Sequence, residues 1–186
     1  MTGIGAASRT RATPAAAAAL AVGLALLSGC AEEEKPSAAS KVRPETCFGA
    51  FTPAELAPLL GRGDEVTVDS PYDLELNAQR RGVTCNIYVD GKSGVLATAT
   101  WQPLGRGFQP LPETAKADSI PAVENGKVWD AGAVAGISCK RAEDSFELAL
   151  GLSGTVDGKA GETRRVLVEL MQKYVDRAKR QNECAG

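Results

Sequence analysis

The chain is 186 residues long, 44% hydrophobic and 24% charged, which suits one ordinary globular domain. Its formal charge is −2 and it contains no histidine. The charge offers no basic field for nucleic acid, and without imidazole there is no Ser–His or Cys–His nucleophile and no common pH switch near neutrality.

The first 30 residues have three parts. Arg9 and Arg11 are the only charges before Glu32. An apolar run of 13 residues, AAAAALAVGLALL, follows over 15–27, and Ser28, Gly29 and Cys30 close it. A spanning helix needs about 20 apolar residues to cross roughly 30 Å of hydrocarbon, so the run is too short for one. A surface-packed core helix would need a polar face, and this run has none. A positive start, a short apolar centre and a small-residue exit match a secretory signal peptide. Thr10 separates Arg9 from Arg11, so the twin-arginine pattern is not met and general secretion is expected.

Residues 31–46, AEEEKPSAASKVRPET, hold almost no large apolar side chain and read as a flexible tether. The globular part is expected over 47–186. Thr52-Pro53-Ala54-Glu55 is a capping box, with Pro53 at the first helical position and Phe51 and Leu56 placed for a hydrophobic staple. Pro58 should keep this helix short or kink it, and Gly61 and Gly63 offer a stop.

Strand signals follow. Val66 and Val68 alternate with polar neighbours, as do Cys85, Ile87 and Val89. The turn at 90–94, DGKSG, leads to Val95, Ala97, Ala99 and Trp101, which predicts a hairpin. Asn125-Gly126 predicts a two-residue type I′ hairpin with Glu124 facing Lys127. Residues 133–140 and 145–152 form another pair, with Phe146, Leu148, Leu150 and Leu152 on one side. Val166, Leu167, Leu170, Met171, Tyr174, Val175 and Ala178 then form a stripe at helical spacing. Lys179 and Arg180 sit where the helix dipole favours cations, and the remaining charged face reads as solvated. The outline is α+β: an antiparallel sheet with a short N-terminal helix and a long C-terminal helix packed on one face.

Five cysteines are odd in an exported protein. With Cys30 set aside, Cys47, Cys85, Cys139 and Cys184 can pair in three ways. Pairing Cys47–Cys85 and Cys139–Cys184 would staple each helix to the adjoining sheet, and each bridge would stabilise by about 4 kcal/mol through loop closure. Pairing Cys85–Cys139 with Cys47–Cys184 is the alternative and needs two adjacent strands and joined ends. A zinc site would need all four separated thiolates, and an oxidising compartment favours disulfides.

No sequence pattern specifies catalysis. Gly91-Lys92-Ser93 has Asn86 where a phosphate loop needs glycine, and it joins two strands. Gly61-Arg62-Gly63 lacks the third glycine of a dinucleotide turn. The stretch 136–140, GISCK, misses the second glycine of a nucleophile elbow. No cofactor and no metal site is expected. Arg80-Arg81, Lys140-Arg141 and Arg164-Arg165 read as surface charge. Residues 101–112, WQPLGRGFQPLP, cannot be a central strand, and Trp101 and Phe108 on it are the candidate partner surface, unless they and Trp129 simply pack.

Leu27-Ser28-Gly29-Cys30 resembles a bacterial lipobox. The resemblance implies a diacylglyceryl group on the Cys30 thiol and cleavage after Gly29, so that 1–29 is signal peptide and 30–46 the lipidated cysteine and tether. Two acyl chains hold a protein on a membrane stably. Loss of 1–29 leaves 19 basic and 23 acidic residues, a net −4. With Cys47 ahead of the spacing F-x-x-x-E-L-x-x-L-L-G over 51–61, and with Cys85 and a later cysteine pair, the chain is similar to small actinomycete lipoproteins of unknown function. That resemblance implies a compact α+β domain at the extracellular face of the cell membrane and contributes no catalytic residue. The expected partners are the membrane, through the lipid on Cys30, and an unidentified protein or envelope component. A non-catalytic binding or envelope-accessory role is the first expectation, and an envelope hydrolase using paired carboxylates is the second.

Overall fold

The computed structural model describes residues 35–77, 79–103, 116–139, 144–153 and 160–184. A 3₁₀ turn at Ala38–Lys41 is followed by a single turn at Thr46–Gly49 (α1) and a helix at Pro53–Leu60 (α2). The strands are Val66–Asp69 (β1), Gly82–Val89 (β2), Lys92–Pro103 (β3), Asp118–Ser119 (β4), Lys127–Trp129 (β5), Gly132–Cys139 (β6) and Asp144–Leu152 (β7). The helix Ala160–Gln181 (α3) closes the chain. The strands make one antiparallel sheet in the order β1-β2-β3-β7-β6-β5-β4. The α+β architecture expected from the periodicities is the one observed.

Strict alternation sets the register. Val83 lies beside Ala99, Ala99 beside Leu148, and Leu148 beside Ala135, giving one apolar row across four strands. Cys85, Ala97, Leu150 and Ala133 make the next row. These residues are all buried, and a one-residue slip would turn every one of them to the other face. Helix α3 supplies the opposing layer, and each of the seven residues of its predicted stripe is buried. Burial of each large apolar side chain there stabilises by about 1.5–3 kcal/mol.

The charged side of α3 does more than face water. Arg164 pairs with Asp118 and Asp130, and Lys173 pairs with Glu55, tying the helix to β4, to the β5–β6 turn and to α2. At its C-terminal end the side chains of Gln181 and Asn182 accept the backbone N–H groups of Leu74 and Leu76, at 3.0 and 2.9 Å.

Two expectations are corrected. The tether was expected to last through residue 46, but the polypeptide packs from Lys35 onward. Pro36 O accepts the Gly63 N–H and Gly61 O accepts the Ala38 N–H, both at 3.0 Å, while Ala38, Ala39 and Val42 enter the core. Average polarity misleads here because three small apolar side chains suffice once the backbone pairs with the loop after α2. Asn125-Gly126 is not a two-residue hairpin either. Ser119 pairs with Lys127 and the Ile120 N–H bonds to Gly126 O, so the connection is longer. Gly126 is needed for space, since a Cβ would lie 2.9 Å from that of Ile120. The Asp90-Gly91 turn does fit the two-residue type, with φ of 49° and 73°. Helix α2 keeps its capping contact, Thr52 N–H to Glu55 Oε2 at 2.9 Å, and carries Pro58 within its eight residues.

Tyr174 of α3 sits at the centre of the packing. Its ring stacks on Phe48 at 6.0 Å and meets Phe51 edge-on at 5.7 Å. Burial pushes its phenol well above the ordinary range, and its hydroxyl has no hydrogen-bond partner among the described residues. An unpaired buried polar group costs stability that an apolar isostere recovers. Tyr174→Phe should therefore raise the unfolding free energy by about 1 kcal/mol, read as a higher urea midpoint. A lower midpoint would reveal a partner for the hydroxyl.

Candidate functional site

Cys47 is joined to Cys85 and Cys139 to Cys184, with Cα–Cα separations of 5.2 and 4.6 Å. This is the sequential pairing, and the alternative through Cys85–Cys139 is excluded because those strands are not neighbours. Cys30 and Phe108 lie outside the described residues. Trp101 lies in β3 two residues before its end, so residues 101–103 do belong to a central strand, contrary to expectation; it is half-buried against the core, with the Arg81 guanidinium 5.2 Å from its ring centroid. Its Nε1 has no partner among the described residues.

The residues that converge were not marked by any motif. The first disulfide holds α1 in an unusual backbone. Glu45, Cys47, Phe48 and Gly49 have φ of 62°, 53°, 64° and 69°, the left-handed region that side chains disfavour. Beside this turn lies a cavity of about 530 Å³, bordered by α1, β1 and the segment that follows β1. Arg177 of α3 borders it. Its Nε donates to Phe48 O at 2.9 Å, and its guanidinium lies over Gly49, where a Cβ would come within 2.9 Å of Nη2. Glycine at 49 suits the positive φ and leaves room for the arginine above it.

Lys41 and Arg43 enter from the N-terminal side and Glu45 is the carboxylate of the lining. Lys41 donates to the Asp64 backbone carbonyl. Lys41, Arg43 and Arg177 have no carboxylate partner among the described residues, so the cavity carries excess positive charge. Val68, 37% exposed, and Tyr72, 98% exposed, supply apolar surface. Sequence reasoning missed these residues for separate reasons. Lys41 and Arg43 fell within the presumed tether, Tyr72 follows Ser70-Pro71 without periodicity, and Arg177 read as part of a solvated face.

Carboxylate pairs exist elsewhere, each closed around a cation. Lys35 lies 2.8 Å from Asp64 and 2.7 Å from Asp90. Asp118 and Asp130 share Arg164. Among the described residues no three cysteine or acidic side chains cluster as a metal site, and no helix is long and apolar enough to cross a membrane. No family model, curated protein or solved structure matches the chain.

The Lys35 ammonium, with the N–H groups of Glu65 and Asp64, holds the Asp90 carboxyl down at about 2, from an ordinary 3.8. A depressed acid stabilises the fold above its unfolded value and loses that effect as pH falls through the folded value. Asp90→Asn should therefore lower the urea midpoint above pH 4, and the gap from wild type should close between about pH 4 and 2. Asparagine tolerates the positive φ at this turn, so backbone strain does not confuse the comparison. A gap independent of pH would contradict this role for Asp90.

Proposed function

We propose that this chain is a lipid-anchored protein of the extracellular face of the cell membrane. Its α+β domain is a non-catalytic binding or envelope-accessory module. The observation that carries the reading is the accounting of the cysteines. Two disulfides occupy Cys47, Cys85, Cys139 and Cys184, and the one thiol left over is Cys30, which follows a signal-like apolar run. Disulfides belong to oxidising compartments, which agrees with export. The stretch Leu27-Ser28-Gly29-Cys30, lipobox-like in its order of residues, supports the same location.

The packing of Lys35 alters the spacer. Between Cys30 and the domain there remain only residues 31–34, a contour of roughly 17 Å when fully extended. The acidic run Glu32–Glu34 falls within it.

The hydrolase alternative has less support. Glycoside hydrolysis needs one carboxyl kept protonated beside an ionised one. Asp64 and Asp90 are both bonded to Lys35, and Asp118 and Asp130 to Arg164, so each of these pairs is closed around a cation and not open to a substrate.

Cys30→Ala should move the protein from the detergent phase to the aqueous phase on Triton X-114 partition of cells expressing it. Unchanged partition would sink the lipoprotein reading.

A further inference from the structure

Three features meet at the groove beside α1. The first is an open sheet edge. Strand β1 ends the sheet and pairs only with β2, and among the described residues no backbone group bonds its outer side. Natural proteins usually blunt such an edge with lysine, proline or a covering segment, because unpaired N–H and C=O groups template another strand. The four residues VTVD of β1 contain neither lysine nor proline. The second is apolar exposure. Val68 and Tyr72, the exposed large hydrophobics among the described residues, both line this groove. The third is charge. Lys41, Arg43 and Arg177 gather around one carboxylate, Glu45, with no carboxylate bonded to any of the three among the described residues. Arg177 is held through its Nε bond to Phe48 O beside Gly49, which lowers the side-chain freedom it loses on binding.

We propose that β1 and this groove receive an extended acidic peptide segment of a partner protein, which adds to the sheet edge as a further strand. The backbone of the segment would satisfy the outer groups of β1, its apolar side chains would rest on Val68 and Tyr72, and its carboxylates would meet Lys41, Arg43 and Arg177. This is strand addition, in which main-chain hydrogen bonds supply affinity and alternate side chains supply selectivity. The cavity, about 530 Å³, is of the size that ligand pockets commonly have. An anionic lipid headgroup or an acidic glycan would match the cations but has no repeating N–H and C=O groups for the strand edge. The left-handed turn under the groove is a strained element of the kind that clusters at binding sites. The proposal rests on the binding reading of the domain and specifies its partner. It is independent of whether Cys30 carries lipid.

The test uses the purified full chain and fluorescein-labelled peptides in anisotropy titrations. The probes are an acetylated Val-Glu hexapeptide repeat, its Val-Lys counterpart, and the Val-Glu peptide methylated on alternate backbone nitrogens. The acidic peptide should bind and the lysine peptide should not. Arg43→Glu should weaken the acidic peptide about tenfold, while circular dichroism reports an unchanged fold. Its side chain is exposed and makes no described contact that folding needs. Backbone methylation should weaken binding by a similar factor, because charge is unchanged and the strand donors are lost. No acidic-peptide binding at roughly 1 mM, equal binding of the lysine peptide, or indifference to Arg43→Glu would each overturn the proposal. Equal binding of the methylated peptide would overturn strand addition. Arg43-dependent binding to phosphatidylglycerol vesicles, without binding to the peptide, would assign the groove to a membrane surface and overturn it as well. Failure in any of these arms with normal detergent partition would leave the anchoring intact.

Discussion

The crosslink from Cys47 to Cys85 is the constraint on which the N-terminal half of the domain depends. It fastens a turn whose backbone runs with the wrong hand to the middle of β2. Each non-glycine residue held in the left-handed region costs on the order of 1 kcal/mol or more. The bridge closes a sequence separation of 38, for which loop closure predicts about 4 kcal/mol of stabilisation. The Phe48–Tyr174 stack and the bond from Arg177 to Phe48 O act on the same turn. The strain and the contacts that hold it are of comparable size, so the turn persists because several contacts demand it together.

The rest of the arrangement follows from that turn. With α1 pinned to β2, Phe48 and Phe51 face Tyr174, and this seats the middle of α3 over the N-terminal segment. The Cys139–Cys184 bridge then ties the end of α3 to β6, at the other side of the sheet's centre. A single long helix is thereby fastened to both halves of the sheet. The groove lies beside the same turn: α1 reverses its hand, Gly49 leaves room for Arg177, and the edge of β1 borders a cavity. The strained element and the candidate recognition surface are therefore the same few residues.

The legible parts of the fold were those with a regular period or a chemical parity. The two-residue alternation of Cys85, Ile87, Val95, Ala97, Leu148 and Leu150 located the central strands and their inner face, and the 3.6-residue stripe from Val166 to Ala178 located α3. The cysteine pairing was legible because one cysteine adjoined each helix and the other two lay on separate strands, Cys85 on β2 and Cys139 on β6. Residues 35–46 were misjudged because composition averages over a segment, whereas burial of Ala38, Ala39 and Val42 depends on where the backbone is anchored. The groove was not legible for a related reason. Its members come from an irregular N-terminal segment, an edge strand, a loop and the charged side of a helix, and no local spacing connects them. Left-handed φ at Cys47 and Phe48, where no glycine advertises it, is likewise invisible to propensity.

The central claim, that Cys47 is bonded to Cys85 and thereby holds the reversed turn against the sheet, is tested most directly by mass-spectrometric peptide mapping without reductant. The account predicts crosslinked peptides joining Cys47 to Cys85 and Cys139 to Cys184. A crosslink between Cys85 and Cys139, or a free thiol at Cys47, would contradict it.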